Sequence, residues 1–561
     1  MLFYNADYLR FVPCLRSTNL YSRRRVTMKR CHLLLIILTP VFMFLCAIPA
    51  YSLPGDVVKK VVLPFHHPTG IAWDGKILWV ADRLSDKFYK LDCSKGELLD
   101  SIPSPAYFPS GLAWDGKLLW STDPAAKKIY ATDPSKILTV KTLDSPSPSP
   151  MGIATDGKYL WISDNRTDMI AKIDPEDGTT IVSFRAPSGD VRGITFGRGY
   201  LWCTDRIRDQ IYMVEPETGT VVMVLPAPGR FSWGLTWQDN FLLNSDYQDD
   251  VIYKIVTKDD EYFEKYFERV ARVNFRTDAV AMGSGVVNRL NIFYAVPENK
   301  PNQVLLNKPT FTPKPKEFKK DRWGQRVAIY EFENLKPGET ISVNMKVELK
   351  SYAVRYYIYP EDVGEKIPEK ISKLFLADDV KYDIKNPYIQ KIVKEVVGNE
   401  ENLYWKARKL FQHLISHMEY EMVGGWNTAP TVLKRGNGSC SEYSFSYIAL
   451  CRAAGVPARY VGSLVVRGDD ASYDSVFHRW CEIYLPGYGW IPVDANAGDR
   501  DWPADQASAF GGISNRFLIT TEGGGGSEYL GWNYNVDAKW LASGKATVFL
   551  DSNAEWEPLE K

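Results

Sequence analysis

The chain has 561 residues, of which 45% are hydrophobic and 24% charged, a composition typical of a globular protein with three or four domains. Its 68 Lys and Arg residues balance 68 Asp and Glu residues, so the formal charge is zero, which argues against a nucleic-acid partner because such partners require a basic surface. The 17 Trp and 32 Tyr residues favour a β-rich architecture.

An export signal is predicted near the N-terminus. From Met28 the chain reads MKRCHLLLIILTPVFMFLCAIPAYSLPG, with a basic start, an apolar run over 33–48 and a small-x-small cleavage pattern at 50–52. The run is shorter than the about 20 residues of a membrane-spanning helix. We therefore predict a signal peptide at 28–52, an upstream over-extension at 1–27, and a periplasmic or extracellular protein. An uncleaved N-terminal anchor is the alternative, and it would be the only attachment to a membrane.

Residues 53–257 carry a repeat with a period of 41 residues. A glycine that precedes a short apolar strand marks each copy: Gly70, Gly111, Gly152, Gly193 and Gly234. An aspartate at the end of the next strand keeps the same step: Asp82, Asp123, Asp164, Asp205 and Asp246. Each copy reads as four short strands, and a period near 40 indicates the blades of a β-propeller. We expect the aspartates to cap turns by accepting backbone N–H bonds.

The ends of the repeat predict how the ring closes. The last copy stops after its third strand near Val256, and residues 56–63 match the fourth-strand region of the other copies. If these residues complete the last blade, the ring has five blades and no exposed edge, with six blades as the alternative. The pattern resembles NHL-type propellers, and this resemblance implies a scaffold or a docking module for a protein or glycan ligand.

A second β-rich region is predicted over 258–360. Segments such as VVNRLNIFYAV and TISVNMKVELKSYAVRYYI alternate polar and apolar residues with a period of two, as antiparallel strands do. We interpret this region as an antiparallel β-sandwich that separates the propeller from a third domain at 361–561.

The third domain contains the best candidate for a nucleophile. In RGNGSCSEYSFSYIALCRAAGVPARYVGS, Cys440 begins a predicted helix, where the positive end of the helix dipole lowers a thiol pKa. Five cysteines remain after the predicted cleavage site, which is too few and too scattered for a disulfide framework. Two of them, Cys451 and Cys481, have the positions expected of buried core residues.

A His and an Asp follow at spacings that suit acyl-transfer chemistry. His478 lies in the predicted strand SVFHRWCEIYL, and Asp494 ends the next strand, GWIPVDA. Neighbouring antiparallel strands can place these side chains together, and a Cys, His and Asp that meet can run nucleophilic catalysis. His413 and His417 are one turn apart on an earlier helix, but Leu414 stands where a metalloprotease needs Glu, so a structural or solvated pair is the favoured interpretation.

Together, the Gly-rich approach to Cys440, the segment RAAGVPAR, and the blocks HRWCEIY and WIPVD resemble the transglutaminase-like superfamily over about 385–520. The resemblance implies a papain-like α+β fold with Cys440 as the nucleophile, His478 as the general base and acid, and Asp494 as the orienting carboxylate. It also implies that the backbone N–H of Cys440 binds the oxyanion together with a second donor. Trp426 is a candidate for that donor, but it lies closer to the cysteine than the Trp of the animal enzymes, and a packing role is the favoured interpretation.

These features predict an exported enzyme that attacks amide carbonyls of a protein or peptide substrate and forms a thioester. Hydrolysis would make it a protease or deamidase, whereas transfer to an amine would make it a transglutaminase. No acidic cluster resembles a calcium site, so we expect no cofactor or metal. The alternative is a non-catalytic envelope binding protein that keeps the fold without the chemistry.

Overall fold

The structure is a computed structural model that describes residues 52–422 and 426–559. The predicted over-extension at 1–27 and the predicted signal peptide at 28–52 lie outside the described residues, except for Ser52. Within the described ranges, no helix is both long and apolar enough to cross a membrane.

The first half of the described chain forms five four-stranded antiparallel sheets. Their strands are β1 (Val57–Val62), β2 (Pro68–Trp73), β3 (Leu78–Asp82), β4 (Lys87–Asp92), β5 (Glu97–Pro103), β6 (Leu112–Trp114), β7 (Leu119–Asp123), β8 (Lys128–Asp133), β9 (Leu138–Asp144), β10 (Pro150–Thr155), β11 (Leu160–Asp164), β12 (Met169–Ile173), β13 (Thr180–Arg185), β14 (Val191–Gly197), β15 (Tyr200–Asp205), β16 (Gln210–Val214), β17 (Val221–Pro226), β18 (Ser232–Gln238), β19 (Phe241–Asp246) and β20 (Val251–Val256).

The sheets follow one another around a ring. Strands β2 to β17 make four sheets in chain order, and the fifth contains β18, β19, β20 and β1. The first strands of successive sheets contact each other, from β2 through β6, β10, β14 and β18 back to β2. This arrangement fits a propeller-like fold. The strand predicted to complete the last sheet is β1, which pairs antiparallel with β20 from Val62 opposite Val251 to Val57 opposite Ile255.

The repeat glycines lie where the first strands of the sheets meet. A Cβ added to Gly152 would lie 2.8 Å from the Ile194 nitrogen, and one added to Gly234 would lie 2.4 Å from the Thr69 oxygen. A Cβ atom does not approach a non-bonded heavy atom this closely. Neighbouring strands can therefore come this near only because glycine has no side chain. The glycine period of 41 residues therefore reflects close backbone packing around the axis of the ring.

The repeated aspartates bind turns, as the sequence predicted. In one sheet, Asp164 Oδ1 accepts hydrogen bonds from the backbone N–H groups of Arg166 at 2.8 Å and Thr167 at 2.7 Å. Its Oδ2 accepts another from the Ser149 N–H at 2.5 Å, which ties the turn to the loop that enters the sheet. Asp123 and Asp246 make equivalent pairs of contacts. Each carboxylate thus fixes two loops at one end of the ring.

The second β-rich region begins with seven strands: β21 (Phe263–Gly283), β22 (Val286–Ala295), β23 (Gln303–Leu305), β24 (Thr310–Thr312), β25 (Glu317–Lys320), β26 (Arg326–Leu335) and β27 (Thr340–Tyr356). The rest of the chain contributes α1 (Glu369–Phe375), α2 (Pro387–Val397), α3 (Leu403–His417), β28 (Glu419–Tyr420), α4 (Ala429–Arg435), β29 (Asn437–Gly438), α5 (Cys440–Ala453), β30 (Ala458–Val465), β31 (Ser472–Asp474), β32 (His478–Leu485), β33 (Gly489–Val493), α6 (Pro503–Ser508), β34 (Gly512–Ile513), β35 (Phe517–Gly523), β36 (Val536–Ser543) and β37 (Ala546–Pro558).

The last two strands of the chain pack with the second β-rich region, whereas the predicted domain division at 360 placed them in the third domain. Strand β37 pairs with β21, and β36 pairs with β22, so the C-terminal hairpin extends the two sheets of the second β-rich region. The buried apolar cluster between these sheets includes Ala538 and Trp556 as well as Val273 and Leu290. Residues 536–558 therefore pack with 258–360, although the sequence assigned them to the third domain. Period-two alternation shows that a segment is a strand, but it does not reveal a partner more than 250 residues away.

The third domain places one helix against a four-stranded sheet. The sheet has the order β33-β32-β30-β35, and α5 packs on β30 and β32. The helix predicted at residue 440 is α5, and the three predicted strands after it are β30, β32 and β33. Helices α2, α3 and α4 cover the other side of α5, which is buried along nearly its whole length. This packing fixes the first residue of α5 beside the start of β32.

Candidate active site

Cys440 is the first residue of α5, directly after the N-cap residue Ser439. The first N–H groups of a helix have no partner within the helix, so the Cys440 amide and the positive end of the helix dipole face the site. Of the five cysteines in the described ranges, Cys440 alone is partly exposed, and the other four are buried. Its position therefore combines partial exposure of the residue with a helix N-terminus that favours a thiolate.

Glu442 holds the loops that lead to the nucleophile. This carboxylate is fully buried, and it accepts hydrogen bonds from the backbone N–H of Ser439 at 3.2 Å and of Asn427 at 3.1 Å. Arg435 neutralises its charge with a bond of 2.9 Å. Sequence reasoning missed this role, although Ser439-Cys440-Ser441-Glu442 is the S-x-x-E pattern of a capping box and could have revealed it.

His478 and Asp494 meet at the end of two paired strands. His478 is the first residue of β32, Asp494 follows β33, and these strands pair antiparallel. His478 Nε2 lies 2.6 Å from Asp494 Oδ2, and the second carboxylate oxygen accepts the Ala497 N–H at 3.0 Å. Both side chains are almost fully buried, at 10% and 4% exposure. Because Nε2 is engaged by the carboxylate, Nδ1 is the ring nitrogen left to serve the thiol.

The strand and the helix are also linked directly. Ser444, one turn after Cys440, donates from its hydroxyl to the Cys440 carbonyl at 2.8 Å and to the Arg479 carbonyl at 3.3 Å. One side chain thus joins the first turn of α5 to the first residues of β32. The first residue of α5, Cys440, therefore lies beside the start of β32, where His478 and Asp494 are paired.

The Cys440 thiol and the His478 imidazole shift each other's pKa values. Burial raises the pKa of the Cys440 thiol, but the interaction and charge of His478, together with smaller contributions from the Arg479 N–H and guanidinium, lower this pKa by more. Burial lowers the pKa of His478, whereas the charge and the hydrogen bond of Asp494, followed by those of Cys440, raise it to about 10. The two directions together favour a thiolate beside an imidazolium over a neutral thiol beside a neutral imidazole.

Trp426 lies in the wall of the site. Its ring centroid is 6.3 Å from that of Tyr534, and the charge of Cys440 contributes to a raised Tyr534 pKa that burial chiefly causes. The pKa of Tyr420, which is 45% exposed, is also raised, first by partial burial and then by the charge of Cys440. The sequence pointed to neither tyrosine, because both lie outside the recognisable blocks. Trp426 as the second oxyanion donor stays a prediction.

A caged cation lies behind the nucleophile. The Arg479 guanidinium is fully buried, and it donates to the Trp532 carbonyl at 2.5 Å. Its Nε and Nη1 have no hydrogen-bond partner in the described part of the chain. The guanidinium carbon lies 4.4 to 4.9 Å from the ring centroids of four aromatic residues: Trp426, Phe445, Tyr460 and Tyr534. Rings stabilise a cation without neutralising it, so its charge remains available to a nearby anion.

Replacing Arg479 with methionine is expected to raise the pKa of the Cys440 thiol, because a positive charge near the thiolate is lost. Arg479→Lys keeps the charge and should stay nearer to the wild-type value. The measurement is the rate of alkylation of Cys440 against pH, with the melting temperature of each variant as a control for folding. A profile of the methionine variant that superimposes on the wild type would show that the caged charge has no influence on the thiol.

The two histidines of α3 form a stacked pair in which His413 is half-buried and His417 is exposed, as a structural or solvated pair would be. His413 and His417 stack with their ring centroids 5.4 Å apart, and His417 Nε2 lies 3.0 Å from the Leu433 carbonyl oxygen. Residues 52–422 and 426–559 contain no group of three or more His, Cys, Asp or Glu side chains that could hold a metal ion.

Comparison with known proteins agrees with the sequence blocks. Residues 390–495 match the family model of the transglutaminase-like superfamily, so the third domain carries a transglutaminase-like region that includes Cys440, His478 and Asp494. An uncharacterised protein of Haemophilus influenzae is 28% identical over 173 residues. That match covers 26% of this chain and 44% of the relative, so the chain spans less than half of the relative's length.

Solved structures share parts of the architecture. A protein of Cytophaga hutchinsonii, solved as a candidate cysteine protease, is 18% identical with a TM-score of 0.38, and the match covers 52% of this chain and 92% of that chain. A virginiamycin B lyase from Staphylococcus aureus is 20% identical with a TM-score of 0.26 and covers 35% of this chain and 69% of its own. At these values, neither similarity bears on function.

Proposed function

We propose that this protein is an exported thiol acyl-transfer enzyme that acts on the amide carbonyls of proteins or peptides. The single observation that carries the proposal is the contact of His478 Nε2 with Asp494 Oδ2 at 2.6 Å, next to a Cys440 thiol whose pKa His478 lowers. A buried carboxylate, an imidazole and a thiol at a helix N-terminus together provide a nucleophile, a proton shuttle and a means of orienting that shuttle.

The first half of the reaction forms a thioester. The Cys440 thiolate attacks the carbonyl carbon, a carbon–sulfur bond forms, and the negative charge moves to the carbonyl oxygen. The Cys440 backbone N–H lies in the first turn of α5, and we propose that it binds that oxygen. The His478 imidazolium then gives its proton to the nitrogen, the carbon–nitrogen bond breaks, and ammonia or an amine leaves.

The second half releases the acyl group. Neutral His478 accepts a proton from water or from an incoming amine, which attacks the thioester carbonyl. The carbon–sulfur bond breaks, the thiolate of Cys440 is restored, and the imidazole is protonated again. Water yields a carboxylic acid, as in a protease or deamidase, and an amine yields a new amide, as in a transglutaminase. Both outcomes use the same three residues.

The N-terminal half is proposed to be a five-bladed propeller that docks a protein or glycan ligand, and the sheets built from β21 to β27 are proposed to be a sandwich-type spacer. Support for five blades comes from the five four-stranded sheets and from the pairing of β1 with β20. Export is proposed from the basic and apolar residues at 28–52.

The proposed activity is tested with an unfolded protein whose lysines have been methylated, mixed with a fluorescent primary amine. Mass spectrometry then distinguishes three products: cleaved peptides, glutamines converted to glutamates, and glutamines joined to the fluorescent amine. We expect at least one product, and its identity shows whether water or the amine is the acceptor. If no product forms and Cys440 is also no more reactive than Cys451, the protein is not a thiol enzyme.

A further inference from the structure

The catalytic carboxylate sits at the base of a closed loop. The Asp494 N–H donates to the Ala509 carbonyl at 2.9 Å, and the Asp494 carbonyl accepts the Gly498 N–H at 2.9 Å. Together with the Ala497 N–H bond to Asp494 Oδ1, these contacts tie both ends of the segment 495–509 to Asp494. The position of that segment therefore sets the position of the carboxylate.

The middle of this segment lies against the propeller-like region. Arg208, in the turn between β15 and β16, makes a bidentate ion pair with Asp505 of α6, at 2.5 Å and 3.2 Å. The Arg185 guanidinium lies 4.0 Å from the centre of the Trp502 ring. The Ala504 N–H donates to the Pro187 carbonyl at 3.1 Å. A backbone bond, a fork-shaped ion pair and a cation–aromatic contact thus hold one short helix.

Apolar packing follows the same path. Ala504 and Ala507 of α6 belong to a buried cluster that otherwise consists of residues of the propeller-like sheets, including Val191 and Val221. Small residues allow α6 to approach β17 closely, and the two elements are in contact. Helix α6 therefore contributes to the buried core of the propeller-like sheets and also belongs to the Asp494 loop.

A second anchor lies at the far end of the loop. Arg408 of α3 is 1% exposed, and its Nη2 donates to the Val221 carbonyl of β17 at 3.0 Å. The same guanidinium lies 4.9 Å from the centre of the Phe510 ring, directly after the residue that closes the loop on Asp494. One buried cation thus joins the propeller-like sheet, helix α3 and the end of the loop.

We propose that the sheet β14–β17, its loops and the end of the neighbouring strand β13 form an internal brace that holds the Asp494 carboxylate against His478. The N-terminal half then has an intramolecular role in addition to the docking of any ligand. Arg208 and Asp505 are positioning residues, because they act on the proton shuttle only through the loop 495–509. The inference rests on the proposed function, since positioning matters only if His478 serves a reactive thiol.

The test uses the full-length protein with Arg208→Met, Asp505→Asn, and the charge exchange Arg208→Asp with Asp505→Arg. Two readouts are taken, namely hydrogen–deuterium exchange over 495–509 and the pH profile of Cys440 alkylation. We expect each single substitution to speed exchange in the loop about threefold or more and to raise the apparent thiol pKa by about half a unit. The charge exchange should bring both values back toward wild type.

Lys141→Met serves as the matched control, because it removes a propeller-region ion pair with Glu176, at 2.9 Å, that involves no residue of the third domain. If Arg208→Met is poorly folded, Trp502→Leu tests the same contact surface from the other side. Unchanged exchange over 495–509 overturns the brace, and so does faster exchange with an unchanged thiol profile. If Cys440 of the wild type is not more reactive than an ordinary thiol, the proposed function is refuted. This result is obtained from the wild type alone, so it is distinguishable from a failure of the brace.

Discussion

Replacing Cys440 with alanine is expected to reduce acyl transfer by on the order of 10⁴-fold or more, because the atom that forms the thioester is removed. Cys440→Ser should be almost as inactive, since an alcohol is far less acidic than a thiol and His478 cannot hold it as an anion. The measurement is product formation from the methylated, unfolded protein in the presence of the fluorescent amine.

Cys451→Ala provides the matched control for this loss. Cys451 lies on the same helix, is fully buried, and has a pKa that burial raises to about 12. Its removal should leave the activity within about threefold of wild type, because it takes no part in the reaction. Equal activity in the wild type and in Cys440→Ala would show that another group, and not Cys440, carries out the reaction.

Replacing Asp494 with asparagine is expected to lower the rate by on the order of 10³-fold. The charge and the hydrogen bond of Asp494 are the main forces that raise the pKa of His478 to about 10 against the effect of burial. Without them burial dominates, the His478 pKa falls, and the imidazole becomes neutral at pH 7. The Cys440 pKa then rises because its neighbouring positive charge is lost.

The pH dependence separates this effect from a loss of folding. In the wild type, alkylation of Cys440 should rise with pH through a lowered thiol pKa and then remain high, since His478 stays protonated until about pH 10. In Asp494→Asn, the rise should shift to higher pH, toward the ordinary thiol value of about 8.5. A folded Asp494→Asn variant with an unshifted profile would mean that Asp494 does not control the imidazole.

The local signals in the sequence predicted much of the architecture. The glycine repeat from Gly70 to Gly234 anticipated the ring of sheets, because close backbone packing around one axis recurs in every copy. The order of helix and strands around Cys440 and His478 was also predictable, since each element has its own periodicity and its own turn residues.

Contacts between distant segments could not be predicted in the same way. The pairing of β37 with β21 joins strands that lie more than 260 positions apart, since Gly283 is opposite Ala546, and nothing in either segment identifies its partner. The aromatic cage of Arg479 draws rings from four separate segments. The ion pair of Arg208 with Asp505 crosses 297 positions of sequence. Such contacts depend on tertiary packing, which a single sequence does not specify by spacing alone.

The five described cysteines can test the thiolate–imidazolium pair within one protein, because their environments move their pKa values in opposite directions. Burial raises the pKa of Cys93, Cys203, Cys451 and Cys481, whereas the pairing with His478 lowers that of Cys440. The measurement is the rate of iodoacetamide labelling at each cysteine between pH 4 and pH 10, followed by mass spectrometry. We expect Cys440 to react far faster than the others, with a midpoint well below about 8.5. Slow labelling of Cys440 at the same rate as the buried cysteines, or a midpoint at or above that value, would contradict the thiolate–imidazolium pair.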